Sequence, residues 1–264
     1  MHIITLTSDW KEYDYYVASL KGKLLSKCPE ATIVDITHSI KPFNTAEAAF
    51  VVKNSYPHFP DNTIHIIAVN SEPEVGGQLL GAKKGNQYFL CADNGMLGLL
   101  GGPEPEMVVK LKEPAESHSN SFISMSIFAE VACALSSGSS LNEIGQPVES
   151  YNKQTPLRAT IEDNIITGSV IHIDSYHNAI TNISMDLFER VGNGRAFEIY
   201  VQSKHYKISR INTRYNETPP GDLLAIFNAA KLLEIAIRNG NAAGLLKLNT
   251  SSTIRIEFKE GQNA

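Results

Sequence analysis

The sequence is short of several things, and each shortage narrows what the protein can be. Positive charge is not in excess: 23 Lys and Arg stand against 28 Asp and Glu, for a formal net charge of -5 and a pI near 5.9. No basic stripe is left to neutralise a phosphate backbone, which argues against nucleic acid as a partner. Long apolar runs are missing too. Stretches such as Ile64 to Val69 are strand-sized, so neither a bilayer span nor a membrane partner is expected. Met1 leads directly into Ile3-Ile4-Thr5-Leu6, without a basic, cleavable leader. Cysteine is scarce: Cys28, Cys91 and Cys133 are scattered and lack metal-ligand spacing. They are expected to be reduced, mostly buried thiols of a cytoplasmic protein, with no metal site. Internal repeats and low-complexity tracts are absent as well.

What is present is ordinary globular material, 42% hydrophobic and 19% charged, enough for one large domain or two small ones. The first half alternates strand and helix. Strands are expected over 2–7, 31–36, 63–69 and 88–91, and helices over 13–26, 45–55 and 122–135. This is the rhythm of a doubly wound α/β domain. From Gly145 the character shifts. Pro147 and Pro156 mark a linker, and short strands follow over 168–173, 179–183, 196–201, 204–208 and 253–258, with one helix over 231–239. The expected organisation is an N-terminal α/β domain (1–147), a linker (148–158) and a smaller C-terminal β-barrel-like domain (159–264).

Open α/β sheets collect ligands at the carboxyl ends of their strands. Three polar clusters fall at such ends: Thr7-Ser8-Asp9, Asp35-Ile36-Thr37-His38 and Asp93-Asn94-Gly95. A carboxylate there can accept both hydroxyls of a ribose, although a helix N-cap or a turn explains each cluster taken singly. Asp35 and His38 read equally well as organisers of a loop. In the second half, a strand ending at Ile173 runs into Asp174, Tyr176 and Asn178 before re-entering an apolar pattern at Ile180. An acid, a ring and an amide on one turn can hold a flat ligand with polar edges. Asp and Asn are also what surface turns ordinarily contain.

In this order, Thr5 to Asp9, Ile33 to His38, Ala92 to Leu97 and Asp174 to Ile183 resemble the S-adenosylmethionine hydroxide adenosyltransferase family, which includes chlorinating and fluorinating enzymes. The run from Asn228 through Leu233-Glu234-Ile235-Ala236 to Ala243 is similar to the family's C-terminal signature. The resemblance implies homotrimers with S-adenosylmethionine as substrate or ligand and no other cofactor. The ligand would lie between the N-terminal domain of one subunit and the C-terminal domain of a neighbour. It also implies that Asp9 binds the ribose hydroxyls, that Phe43 lies beside the ligand, and that Asp174 holds the methionine end. Tyr176 and Asn178 would address the adenine. Where the family has Phe-Gly-Asn this chain has Tyr176-His177-Asn178, so the turn must form without glycine.

The catalytic positions depart from the family. Its hydrolytic members resemble one another in an Asp, an Arg and a His that activate water. Here Val69-Asn70-Ser71-Glu72-Pro73-Glu74-Val75-Gly76-Gly77-Gln78-Leu79 is two residues longer than the family segment, with Asn70 at the Asp position and Gln78 or Leu79 at the Arg position. In Ser121-Phe122-Ile123-Ser124, Ile123 replaces the His. An amide and an alkyl chain cannot take a proton, and neither Gln78 nor Leu79 supplies a fixed positive charge. General-base help is worth about two to four powers of ten in rate. Hydrolysis to adenosine and methionine is therefore expected to be weak or lost. The alternatives are a non-catalytic binder of adenosine or S-adenosylmethionine, an enzyme that uses Glu72 or Glu74 as a substitute base, and one that uses an anionic nucleophile such as halide beside Ser124.

Overall fold

The strand Ile64–Ala68 is buried along its whole length because helices cover both faces of the sheet it belongs to. The computed structural model describes residues 2–74, 77–112 and 122–260, so Val75, Gly76 and Ser121 of the segments above lie outside the described residues. The chain divides into two units, Met1–Pro156 and Leu157–Ala264.

The first unit runs β1 (Ile3–Ser8), α1 (Tyr15–Lys27), β2 (Thr32–Thr37), α2 (Thr45–Ser55), β3 (Ile64–Ala68), β4 (Leu79–Lys84), β5 (Gln87–Ala92), α3 (Met96–Leu100), β6 (Met107–Leu111), α4 (Ile123–Ser136), α5 (Leu141–Ile144) and β7 (Gly145–Pro147). Its seven strands lie in the order β2-β1-β3-β5-β4-β6-β7. The first four in that order are parallel, and β4, β6 and β7 continue the sheet antiparallel. Alternation along β3 divides the core: Ile64, Ile66 and Ala68 face α1 and α4, while Ile67 faces α2 and α3. Helices on both faces make this the expected doubly wound domain. Strands β4, β6 and β7 were not anticipated; β4 follows the inserted segment and carries little alternation. After β7, Asn152 donates its N–H to Asp93 at 2.7 Å, and Gln154 packs against Gly95. Gly95 has a φ of 92°, and a Cβ there would meet the Gln154 side chain.

The second unit is β-rich: β8 (Thr160–Glu162), β9 (Ile165–Ile173), β10 (Ala179–Ser184), α6 (Met185–Gly192), β11 (Phe197–Val201), β12 (Ser203–Ile208), β13 (Ile211–Asn212), β14 (Leu223–Phe227), β15 (Leu232–Ile237), α7 (Ala242–Leu245) and β16 (Thr253–Phe258). The strand path is β12-β11-β16-β9-β10-β15-β14-β13, with β8 on β9. The long strand β9 joins the two halves, and β12 touches β14, which brings the sheet close to a barrel. Ile166, Val170, Ile199, Ile235, Ile254 and Phe258 fill its interior.

Two expectations fail. Residues 231–239 are not a helix: Leu232–Ile237 is a strand paired with both β10 and β14. A short apolar run reads equally as buried helix or buried strand, and pairing on both sides decides it. Nor are all three cysteines reduced. Cys28 caps the end of α1 and Cys133 lies on α4, and where these helices pack the two are joined in a disulfide with a Cα–Cα distance of 5.5 Å. Free, reduced cysteines therefore no longer argue for a cytoplasmic location. Cys91 is free and buried, and burial pushes its thiol pKa far up. Among the described residues, no helix is long and apolar enough to cross a membrane.

Candidate functional site

The parallel register pairs Ser8 with Ala68, so the loops leaving β1 and β3 emerge side by side. Asp9 stands at the first exit and Asn70 at the second. One oxygen of the Asp9 carboxylate accepts the Phe43 N–H at 2.8 Å and the Asn70 N–H at 3.2 Å. Phe43 (φ 65°) adopts the left-handed conformation that bulky residues avoid, and Asn70 (φ 46°) adopts it too, as an asparagine can with less cost. Strain of this kind is held only where the surroundings impose it, and it gathers at functional sites. Asn94 adds a clamp, its amide donating to the carbonyls of Val69 and Asn70 at 3.1 and 3.0 Å.

These residues border a cavity of about 270 Å³ that also contacts Trp10, Tyr16, Glu72 and Phe122. The aromatic side is tightly joined: ring centres lie 4.9 Å apart for Trp10 and Phe122 and 5.1 Å for Tyr16 and Phe122. Phe43 is 72% exposed, leaving its ring open to a ligand. The Tyr16 phenol pKa is raised by its hydrogen bond with Tyr15 and by that neighbour's charge.

The two loops that carry Asp9 and Phe43, after β1 and after β2, meet at a buried histidine. His38 meets the Ser8 hydroxyl through Nδ1 at 2.7 Å. Its Nε2 lies 3.1 Å from Asp35, within ion-pair range but too poorly aligned for a hydrogen bond. Partial burial pushes the Asp35 carboxyl up, but the Lys21 hydrogen bond and charge and the close His38 ring outweigh it, so its pKa falls. Lys11 joins the two loops by donating to the carbonyls of Ser39 and Ile40. Asp35 and His38 thus organise a loop, the plainer of their two readings.

The positions expected to carry chemistry scatter. Asn70 lines the cavity, whereas Leu79 is buried on β4 and packs into the core. Its neighbour Gln78 donates to Asp93 at 2.8 Å. Ile123 opens α4. Glu72 reaches that helix start, its two carboxylate oxygens accepting the N–H groups of Ile123 at 3.1 Å and Ser124 at 3.0 Å. Ser124 is fully buried, and its hydroxyl shares a 2.9 Å hydrogen bond with that of Ser71. Glu74 is exposed and does not line the cavity. The sequence reading missed Trp10, Tyr16 and Ser71; the aromatic pair beside Asp9 was the signal available for the first two.

In the second unit, Asp174, Tyr176 and Asn178 occupy the turn from β9 to β10. Asp174 accepts the backbone N–H groups of Tyr176 at 2.9 Å and Asn178 at 2.8 Å, and its other oxygen lies 3.3 Å from the Asn178 amide nitrogen. The missing glycine is replaced by His177 at a φ of 63°, its carbonyl accepting the Ala243 N–H at 2.9 Å. Asn178 is buried, while the Tyr176 ring is 77% exposed. Nearby, buried Glu234 accepts from the Tyr215 hydroxyl at 2.7 Å and the Asn228 amide at 3.2 Å. Burial, together with that carboxylate, drives the Tyr215 pKa up.

A doubly wound domain with a carboxylate-centred cavity at its strand ends, followed by a barrel-like domain, defines the class of protein. Residues 4–145 match the SAM hydroxide adenosyltransferase N-terminal domain and residues 168–255 the corresponding C-terminal domain, so the chain belongs to the SAM hydroxide adenosyltransferase family. Its curated relatives include a protein named (R)-S-adenosyl-L-methionine hydrolase from Salinispora arenicola, 27% identical and covering 96% of this chain and 97% of the relative. A protein named fluorinase, from an Actinoplanes species, is 27% identical over 73% of this chain and 75% of its own length. Among solved structures, an uncharacterized conserved protein from Thermotoga maritima superimposes with a TM-score of 0.87 at 26% identity, covering 96% of this chain and 99% of its own.

Proposed function

We propose that this protein binds S-adenosylmethionine and that its hydrolysis of that ligand to adenosine and methionine is weak or lost. The observation that carries the reading is the state of the first unit's cavity. Its ligand-side carboxylate, Asp9, is held in place by two N–H groups, while the positions expected to activate water hold an amide, an alkyl chain and a core leucine. Asn70 and Ile123 cannot shuttle a proton, and Leu79 offers no charge.

In this reading Asp9 takes the ribose hydroxyls and the exposed Phe43 ring lies against the ligand. The turn of the second unit supplies Asp174 for the methionine end, with Tyr176 and Asn178 for the adenine. A homotrimer and a cytoplasmic location belong to the same proposal. A sulfonium leaves readily, so any residual turnover would rest on positioning and desolvation rather than on a base. The halide alternative has less support, since the Ser124 N–H and hydroxyl are both engaged within the chain.

The test is incubation of the pure protein with S-adenosylmethionine, with and without chloride, followed by chromatography for adenosine, halogenated adenosine and methionine. Calorimetric titration with S-adenosylmethionine and adenosine runs beside it. Binding with little or no product is expected. Rapid release of adenosine would overturn the claim of weak activity, and absence of binding would overturn the reading as a whole.

A further inference from the structure

The walls of the Asp9 cavity have one electrical character. Asp9 and Glu72 bring carboxylates, Trp10, Tyr16, Phe43 and Phe122 bring rings, and among the described residues none that lines it carries a basic side chain. Ring faces attract a cation placed over them, most strongly where water is excluded. Carboxylates beside the rings act in the same direction and oppose any anion.

Glu72 has a second effect. The first N–H groups of a helix form a natural anion site, with free donors and the positive end of the dipole. Helix α4, 14 residues long, opens beside Phe122 at the cavity wall, and two of its first N–H groups are already taken by the two Glu72 oxygens. The Ser124 hydroxyl is engaged by that of Ser71. The two N–H groups that open this helix at the cavity wall are thus occupied by a carboxylate of the chain itself.

We infer that the cavity selects an onium cation and refuses anions, and that Glu72, acting as a built-in anion, is the specificity-determining residue. The inference rests on the proposed reading of this cavity as a sulfonium site and deepens it. A sulfonium ligand is held better than its neutral thioether counterpart, and no anionic nucleophile is held beside it.

The full-length protein is titrated with S-adenosylmethionine and with S-adenosylhomocysteine, following the fluorescence of Trp10, the sole tryptophan. Melting temperature is measured separately with trimethylsulfonium, with the neutral isostere tert-butanol and with chloride, at constant ionic strength. The sulfonium ligand is expected to bind about tenfold or more tighter than the thioether. Trimethylsulfonium should raise the melting temperature, while chloride and tert-butanol should not. In Glu72→Gln the preference should shrink and a saturable response to chloride should appear. Equal affinities for the two adenosyl ligands, or a chloride response in the unmodified protein, would overturn the inference whether or not the variant folds. If neither adenosyl ligand binds, the functional reading fails; the small probes then decide charge selectivity, and no trimethylsulfonium response rejects it.

Discussion

Asp9 fixes the left-handed backbone of Asn70: its carboxylate accepts the Asn70 N–H at 3.2 Å, and the Asn70 φ is 46°. The same oxygen fixes Phe43, also left-handed, so one side chain restrains two loops. Asp9→Ala leaves both N–H groups without this acceptor and should lower stability by about 1–3 kcal/mol. Asp9→Asn retains an acceptor and should unfold in urea near the unmodified midpoint, yet bind S-adenosylmethionine far more weakly. Unchanged binding in Asp9→Asn would remove Asp9 from the ligand site.

Stability should fall as the solution is acidified from about pH 6.5 to about 4, and His65 is one cause. Burial lowers its pKa to about 4 from an ordinary 6.5, the Gln87 hydrogen bond opposing the shift only in part. In the folded protein His65 stays neutral, joined to Thr5 through Nδ1 at 2.7 Å and Gln87 through Nε2 at 3.2 Å. The unfolded chain takes up its proton near pH 6.5 and the folded one only near 4. Its contribution is thus whole above 6.5 and lost as pH falls through that window, by up to about 3 kcal/mol. Denaturant midpoints measured across this range should flatten in His65→Gln; an identical slope would assign the loss to other groups.

Reduction should destabilise the first unit. The Cys28–Cys133 bond closes a loop of 105 residues, and a crosslink of that span is worth about 2–4 kcal/mol through the unfolded chain. Melting in the presence of dithiothreitol should match that of a Cys28→Ser variant and fall below that of the oxidised protein. Peptide mapping without reductant should recover the two cysteines linked. Two free thiols at these positions would refute the pairing.

The turn of the second unit makes separable predictions for ligand and fold. Asn178→Ala should weaken adenosine binding by about 1–3 kcal/mol, because a buried base edge loses its partner. His177→Gly removes a left-handed non-glycine residue and should leave stability equal or slightly raised. Calorimetry and thermal melts on both variants read these effects. Normal adenosine affinity in Asn178→Ala would take the amide out of recognition.

Much of this was legible along the chain because it depends on neighbours a few residues apart. Short apolar runs revealed β1 and β3, alternation revealed the second half of β9, helical spacing revealed α2 over its full length, and polar residues at strand ends marked Asp9 and Asp174. Asn70 and Ile123 were visible as chemical losses from identity alone. Tertiary structure decided what depends on residues far apart. Leu79 fell into the core because β4 lies between β5 and β6. Leu232–Ile237 became a strand because β10 and β14 pair with it on either side. Cys28 met Cys133 only through the packing of α1 on α4. Glu72, which reads as a loop glutamate, became the cap of a helix that begins 51 residues later. Local periodicity records which face of an element is apolar; which element covers that face is settled by strand order and helix packing, and these are properties of the whole chain.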